Sequence, residues 1–142
     1  MYKITRKPFG SHHIVKLTNE DTGEYVSVIP EYGAKVQEIV LKKDSRLISI
    51  LDNESDPSCV TNDNWHKGEF LIPFPNRIRS GEYEFNGKKY NLDINMSNEE
   101  NAIHGIMFSK EFILDTDIAG NSITLRHSYD GSNQGYPFPC TV

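Results

Sequence analysis

The sequence has little of what marks a membrane or nucleic-acid-binding protein. Its longest apolar runs are only a few residues, whereas a helix needs about 20 apolar residues to cross a bilayer. Lysine and arginine number 15 against 20 aspartates and glutamates, which gives a net charge of −5. An acidic chain is repelled by nucleic acid and by anionic lipid. We therefore expect no nucleic acid and no membrane among its partners.

Cysteine is scarce too. Cys59 and Cys140 are the two cysteines in the sequence, and they are too far apart to form a metal-binding or redox spacing. The first residues carry no apolar segment of the kind that directs export. The sequence therefore predicts a cytoplasmic location with both thiols reduced.

Common catalytic motifs are missing. The sequence contains no glycine-rich phosphate loop, no Gly-x-Ser-x-Gly turn and no His-Glu-x-x-His. His12 and His13 are adjacent, and neighbours on a strand point to opposite faces, which disfavours a shared metal ion. Glu99 and Glu100 lie in a polar run that is more simply a solvated loop than the carboxylate pair of a glycosidase. We predict no metal site.

Short strands and turns make up most of the remaining pattern. Alternation of apolar residues predicts strands at Ile14–Leu17, Tyr25–Ile29, Lys35–Leu41 and Arg46–Leu51, with a turn at Asp44-Ser45. Short connections between such strands favour an antiparallel β-meander. No window of a dozen residues keeps a helical period, so we predict an all-β fold.

Two hairpins are predicted further along. The first turns at Asn86-Gly87, a pair that suits the positive φ angles of a type I′ turn. The second joins Phe112–Leu114 to Ile123–His127, and residues 119–122 form its turn. The polar residues 52–67 form a predicted loop, and for Trp65 in that loop ordinary packing is favoured over stacking on a sugar.

The stretch best suited to a binding site is Phe70–Gly81. Pro73 and Pro75 stiffen the chain and remove backbone donors, so the following Asn76-Arg77 pair is delivered from a rigid, extended segment. Arginine brings a planar fork of five donors, and asparagine brings both a donor and an acceptor.

A second polar group is His104, followed by a glycine that allows close approach of a ligand or another backbone. Histidine titrates near neutrality, which suits catalysis. Taken alone, however, a single arginine is usually a surface residue and a single histidine a structural one. The stretch around Asn76-Arg77 and the stretch around His104 indicate a function only in combination with the rest of the sequence.

That combination resembles the aldose 1-epimerase (galactose mutarotase) family. The similarity lies in three motifs that occur in the family's order and spacing: Pro73–Ile78 (PFPNRI), Gly81–Leu92 (GEYEFNGKKYNL) and Asn101–Gly105 (NAIHG). Gly135–Phe138 (GYPF) follows where the family has a similar turn. The resemblance covers nearly the whole chain and is strongest from residue 71 to residue 105.

The resemblance implies an antiparallel β-sandwich, the galactose mutarotase-like supersandwich, and an isomerase that needs no cofactor. Such enzymes interconvert the α and β anomers of free aldoses, which here means a hexose such as galactose or glucose. A glutamate takes the proton of the anomeric hydroxyl while a histidine protonates the ring oxygen. Asn76, Arg77 and His104 are then the implied substrate-binding residues, and His104 is also the implied catalytic residue.

The sequence differs from the family in its length. Members are much longer, and the second histidine, a substrate-binding aspartate and the base glutamate have no counterpart in matching motifs here. We therefore expect residues 1–142 to be the N-terminal part of one mutarotase-like domain, an incomplete half of the sandwich. Such a half would lack the general base and the general acid, and its exposed sheet edges would promote self-association. Two alternatives stay open: a non-catalytic carbohydrate-binding β-module, and a structural or regulatory half that binds no sugar.

Overall fold

A computed structural model describes residues 1–52, 55–62, 65–115 and 121–142, and nearly all of its regular structure is antiparallel β. Within those residues the one helical element is a 3₁₀ turn, Pro57–Cys59. The all-β prediction is confirmed. The strands are β1 (Tyr2–Phe9), β2 (His12–Asn19), β3 (Tyr25–Ile29), β4 (Lys35–Lys43), β5 (Arg46–Ser49), β6 (Arg77–Arg79), β7 (Glu82–Phe85), β8 (Lys88–Asn91), β9 (Asn101–Ile103), β10 (Ile113–Leu114), β11 (Leu125–Arg126), β12 (Ser128–Tyr129) and β13 (Cys140–Thr141).

The chain divides into two compact units, of which the first comprises residues 1–70 and 109–126. Its main feature is a five-stranded antiparallel meander in the order β1-β2-β3-β4-β5. Val15, Ile29 and Val40 are buried in this unit. Each such side chain removed from water stabilises the fold by about 1.5–3 kcal/mol.

The predicted meander is confirmed, and the structure adds a strand to it. β3 has the predicted bounds, and the predicted turn forms at Asp44 (φ 48°) and Ser45 (φ 66°). The added strand is β1, which the apolar pattern did not reveal because charged residues and Pro8 interrupt it. Charges and a proline are typical of an edge strand. One side of such a strand has no neighbour, so the missing N–H of proline costs no hydrogen bond of the ladder.

A buried ion pair anchors the loop that follows the meander. Lys35 Nζ lies 3.6 Å from Glu69 Oε1, and both side chains are only 2% exposed. The second oxygen of Glu69 lies 2.6 Å from His66 Nδ1. Buried charges persist only when they are paired and hydrogen-bonded, so this cluster ties the end of the loop to β4.

The rest of the loop is irregular, as predicted, in its described part. Asp56 accepts a 2.9 Å hydrogen bond from the Ser58 N–H and so caps the 3₁₀ turn. Trp65 is 84% exposed, so the expectation of ordinary packing is wrong. The second hairpin is present as the pair β10–β11, whereas residues 119 and 120 of its predicted turn lie outside the described residues.

The second unit comprises residues 71–108 and 127–142. In it, β6 pairs with β9 in antiparallel register, with Arg77 opposite Ile103. β7 and β8 form the predicted hairpin, whose turn residues Asn86 (φ 51°) and Gly87 (φ 73°) both have positive φ. β12 pairs with β13 in antiparallel register, with Tyr129 opposite Cys140.

Aromatic packing joins the β7–β8 hairpin to the Gly135–Phe138 turn. The rings of Tyr83 and Tyr90 stack at 5.2 Å, and Phe138 meets Tyr90 edge-on at 5.3 Å. The Tyr83 hydroxyl donates a 2.7 Å hydrogen bond to the Gly135 carbonyl. A Cβ at position 135 would lie 2.7 Å from the Asn91 carbonyl carbon, so the turn needs glycine to reach the hairpin this closely.

Candidate functional site

The pairing of β6 with β9 brings two of the predicted site residues together. Asn76 precedes β6 and His104 follows β9, so the two face each other at the end of the ladder. The Asn76 N–H donates to His104 Nδ1 at 3.0 Å, and the His104 N–H donates to the Asn76 carbonyl at 3.1 Å. Both residues have left-handed backbones, with φ of 66° and 64°. Such conformations are uncommon outside glycine and are frequent at functional sites.

The hydrogen bond to Nδ1 determines the tautomer of His104. A backbone N–H is always a donor, so Nδ1 must act as the acceptor. A neutral imidazole that accepts at Nδ1 carries its proton on Nε2. His104 is therefore arranged to donate a hydrogen bond through Nε2, which suits an oxygen acceptor such as a sugar ring oxygen or hydroxyl.

Arg77 is held on both sides. Its Nε donates to Glu99 Oε2 at 2.6 Å, and its Nη1 donates to the Asn76 side-chain oxygen at 3.2 Å. The same Asn76 oxygen accepts the Arg77 backbone N–H at 2.9 Å. Asn76 thus orients its neighbour, and the guanidinium keeps a defined place although its side chain is 45% exposed.

The ion pair of Arg77 with Glu99 changes the titration of both groups. The hydrogen bond from Arg77 lowers the pKa of Glu99, and burial opposes this effect only in part. The reverse interaction raises the pKa of Arg77. Glu99 is therefore a carboxylate at neutral pH and a weak base, which makes it an orienting group for the guanidinium.

A tight backbone contact lies behind His104. Gly105 has a φ of 78°, and a Cβ there would fall well inside van der Waals contact of the Ile72 carbonyl. That carbonyl accepts hydrogen bonds from the N–H groups of Ile106 at 2.9 Å and Met107 at 3.2 Å. The glycine lets the segment after β9 pack against the segment before Pro73. This contact fixes the chain just before Asn76 and just after His104.

Two residues that matter to this geometry were not identified from the sequence. Glu99 was interpreted as part of a solvated loop, because its pairing with Arg77 depends on the β6–β9 register. Asn95 was not singled out, yet its amide accepts from the Ile103 N–H at 2.7 Å and donates to the Ile103 carbonyl at 2.8 Å. The Asn95 side chain makes the two hydrogen bonds that a neighbouring strand would otherwise make to Ile103. No local sequence pattern indicates this contact.

The structure thus brings the predicted residues Asn76, Arg77 and His104 together in the second unit, while their roles remain predictions. Among the described residues, no group of three or more histidine, cysteine, aspartate or glutamate side chains is placed to hold a metal ion. In the same residues no helix is both long and apolar enough to cross a membrane. The three residues form a strip of hydrogen-bonding groups at the end of a short antiparallel ladder.

Known structures share this fold. A galactose mutarotase-like protein from Clostridium acetobutylicum superposes with a TM-score of 0.72 at 21% identity, over 95% of this chain and 41% of that one. Galactose 1-epimerase from Lactobacillus acidophilus NCFM also gives 0.72, at 18% identity, over 98% of this chain and 42% of that one. The predicted mutarotase-like fold is confirmed.

Comparison of the sequence with known proteins supports the same family. The uncharacterized protein YihR of Escherichia coli K12 is 30% identical over 116 residues, which are 82% of this chain and 35% of YihR. The chain thus spans less than half the length of each of these three proteins. The family described as aldose 1-epimerase matches residues 14–142. The chain therefore belongs to the aldose 1-epimerase family.

Proposed function

We propose that this chain carries the substrate-positioning part of an aldose 1-epimerase that interconverts the α and β anomers of a free hexose such as galactose or glucose. Asn76 and Arg77 bind sugar hydroxyls, and His104 binds the ring oxygen through Nε2. Family membership supports the reaction class. The observation that supports these residue roles best is the reciprocal hydrogen bonding of Asn76 and His104, which fixes the histidine tautomer.

The donors suit a neutral, hydroxyl-rich ligand. Arg77 offers several N–H groups, and its net charge is balanced by Glu99 at 2.6 Å. A compensated cation binds hydroxyl oxygens without demanding an anionic ligand, whereas an unpaired arginine favours carboxylate or phosphate. The proposed ligand is therefore an uncharged sugar.

Mutarotation needs a base at the anomeric hydroxyl and an acid at the ring oxygen. In this proposal His104 lies at the ring-oxygen side, and the base is supplied by a residue outside the motifs of this chain. Glu99 does not fill that role, because its ion pair with Arg77 lowers its pKa and weakens it as a base.

The same observation favours a second candidate, a non-catalytic carbohydrate-binding module. In that case the strip binds sugar but accelerates no anomer exchange. Both candidates predict sugar binding, so binding tests the site and polarimetry separates the two functions. Any rise in the rate of anomer exchange above the buffer rate favours the enzyme.

Calorimetric titration of the chain with galactose and with glucose tests the site. Arg77→Ala is expected to weaken binding by about 5–150-fold, since a buried sugar hydroxyl left without its donor costs about 1–3 kcal/mol. Arg79→Ala is the matched control, because it removes the same side chain from an exposed position two residues along β6.

If Arg77→Ala and Arg79→Ala bind sugar as tightly as the unaltered chain, Arg77 is not a sugar ligand. If neither hexose binds the unaltered chain, the positioning role assigned to this chain is wrong.

A further inference from the structure

The last strand of the meander, β5, has one open edge. It pairs with β4 on one side, and no described strand pairs with its other side. The strand and the residues just after it are also apolar and exposed: Leu47 is 52%, Ile48 43% and Ile50 54% exposed. Open, apolar edges of this kind pair readily with another strand.

The outward-facing backbone groups of this edge follow from the ladder. The Ile50 N–H donates to the Ile39 carbonyl at 2.9 Å, so Ile50 faces β4. Residues alternate along an antiparallel ladder, so Ile48 also faces β4 while Leu47 and Ser49 point their N–H and C=O groups outward. Leu51 lies in a bend just after β5, and its carbonyl accepts a 3.2 Å hydrogen bond from the Ser49 hydroxyl. If docking extends the strand by two residues, Leu51 joins the outward series and the outward groups are centred on Ser49.

The sequence around Ser49 reads the same in both directions. Residues 46–52 are Arg-Leu-Ile-Ser-Ile-Leu-Asp, in which Leu-Ile-Ser-Ile-Leu is a palindrome flanked by one cation and one anion. Two antiparallel copies related by a two-fold axis at Ser49 place Leu opposite Leu and Ile opposite Ile. The same register places Arg46 of each copy opposite Asp52 of the other.

The pairing of the side chains and the hydrogen bonding of the backbone both require this register. With the axis at Ser49, the outward N–H and C=O groups of Leu47 and Ser49 meet outward groups of the second copy, as an antiparallel ladder requires. A shift by one residue in either direction would turn these groups away from one another and would separate Arg46 from Asp52. Two symmetry-related ion pairs then close the ends of the apolar segment.

We propose that the β5 edge is a self-recognition surface, on which a second copy of this chain docks antiparallel about a two-fold axis at Ser49 and extends the five-stranded sheet into a continuous ten-stranded one. The occupant is the same segment, residues 46–52, of the second copy. A contact of this length is small, and we expect a dimer that dissociates in the micromolar range, on the order of 10–100 µM.

Charge reversal tests the register. In sedimentation equilibrium of the full chain, Arg46→Asp or Asp52→Arg alone should raise the dimer dissociation constant by about tenfold, because each creates two like-charge pairs. The double variant with both changes should return it to within about threefold of the unaltered chain. Lys7→Asp, on the opposite edge strand β1, is the control and should leave it unchanged.

Cross-linking tests the position of the axis. In a chain with Cys59→Ser and Cys140→Ser, Ser49→Cys places two thiols about 5.5 Å apart at their Cα atoms, within the range of a disulfide. Leu47→Cys faces Leu51 of the other copy and is too far from its own equivalent. Mild oxidation should give a dimer for Ser49→Cys and little for Leu47→Cys.

A chain that sediments as a monomer at about 1 mM overturns the proposal. So does failure of the double charge reversal to restore association, or equal cross-linking at positions 47 and 49. Either of the last two results would show association through a different surface.

Discussion

Asn76, His104 and Gly105 share an uncommon feature, a backbone with positive φ at each of them. At Asn76 and His104 this conformation turns the backbone so that each N–H meets the other residue. At Gly105 it brings the chain against the Ile72 carbonyl. Glycine enters this region without strain, and asparagine and histidine are among the residues with a Cβ that are enriched there.

Gly105→Ala should destabilise the chain by about 2–5 kcal/mol. The left-handed backbone costs about 1–2 kcal/mol for a side chain with a Cβ, and the clash with the Ile72 carbonyl costs about 1–3 kcal/mol more. Gly87→Ala is the control, since Gly87 has a similar φ of 73° but no atom within 4 Å of the point where a Cβ would lie. That variant should lose only the backbone cost of about 1–2 kcal/mol. Urea denaturation measures both, and equal losses would refute the close contact.

Arg77→Ala should raise the pKa of Glu99, because the hydrogen bond from Arg77 is the main cause of its lowered value. Carboxyl carbon NMR over a pH titration follows the group directly. Glu24 is an internal control, since its lowered pKa comes mainly from the Lys42 N–H and should not move. An unchanged Glu99 titration would contradict the ion pair.

The direction of the pH effect follows from the same ion pair. A folded-state pKa below the unfolded value means that the stabilisation is complete above the unfolded pKa and is lost as the pH falls through the folded pKa. Both side chains are more than a third exposed, so solvent screening keeps this contribution small. The pair orients Arg77 more than it stabilises the fold.

At the scale of elements, β9 is a three-residue strand that positions His104, and Asn95 secures its end. Asn95→Ala removes both hydrogen bonds to Ile103 and should lower the free energy of unfolding by about 1–3 kcal/mol. It should also broaden the amide resonance of His104. Asn98→Ala, at an exposed position in the turn between Asn95 and β9, should change stability by less than about 0.5 kcal/mol. Equal effects of the two variants would show that Asn95 does not anchor β9.

The elements that could be predicted from the sequence are those determined by local chemistry. Asn86-Gly87 specifies its hairpin because both turn residues must adopt positive φ. Tyr25–Ile29 follows from alternation alone. β1, the Asn95 bridge and the partner of Arg77 depend on which strands lie side by side, and no local pattern encodes that. The candidate site residues were predicted from the family motifs, and their mutual hydrogen bonds became visible only with the register of β6 and β9.

For the whole molecule, the chain spans only part of the length of the relatives that it matches, which shapes the activity that we expect. Polarimetry of α-galactose should show anomer exchange at most slightly above the buffer rate. A positioned general acid or base contributes about 10²–10⁴-fold each, and we expect this chain to lack the base and one histidine of the family. Turnover on the order of ten per second would show that the chain supplies both groups, and Glu99 and His127 would then be the first residues to substitute.

Amide NMR of the labelled chain during titration with galactose tests whether the strip of Asn76, Arg77 and His104 binds a hexose. We expect saturable shifts that concentrate at these residues and at the β6–β9 ladder. His104→Ala should abolish them, while His127→Ala, in the same unit but outside the strip, should leave them intact. Saturable shifts elsewhere, or shifts that survive His104→Ala unchanged, would show that the strip is not the hexose site.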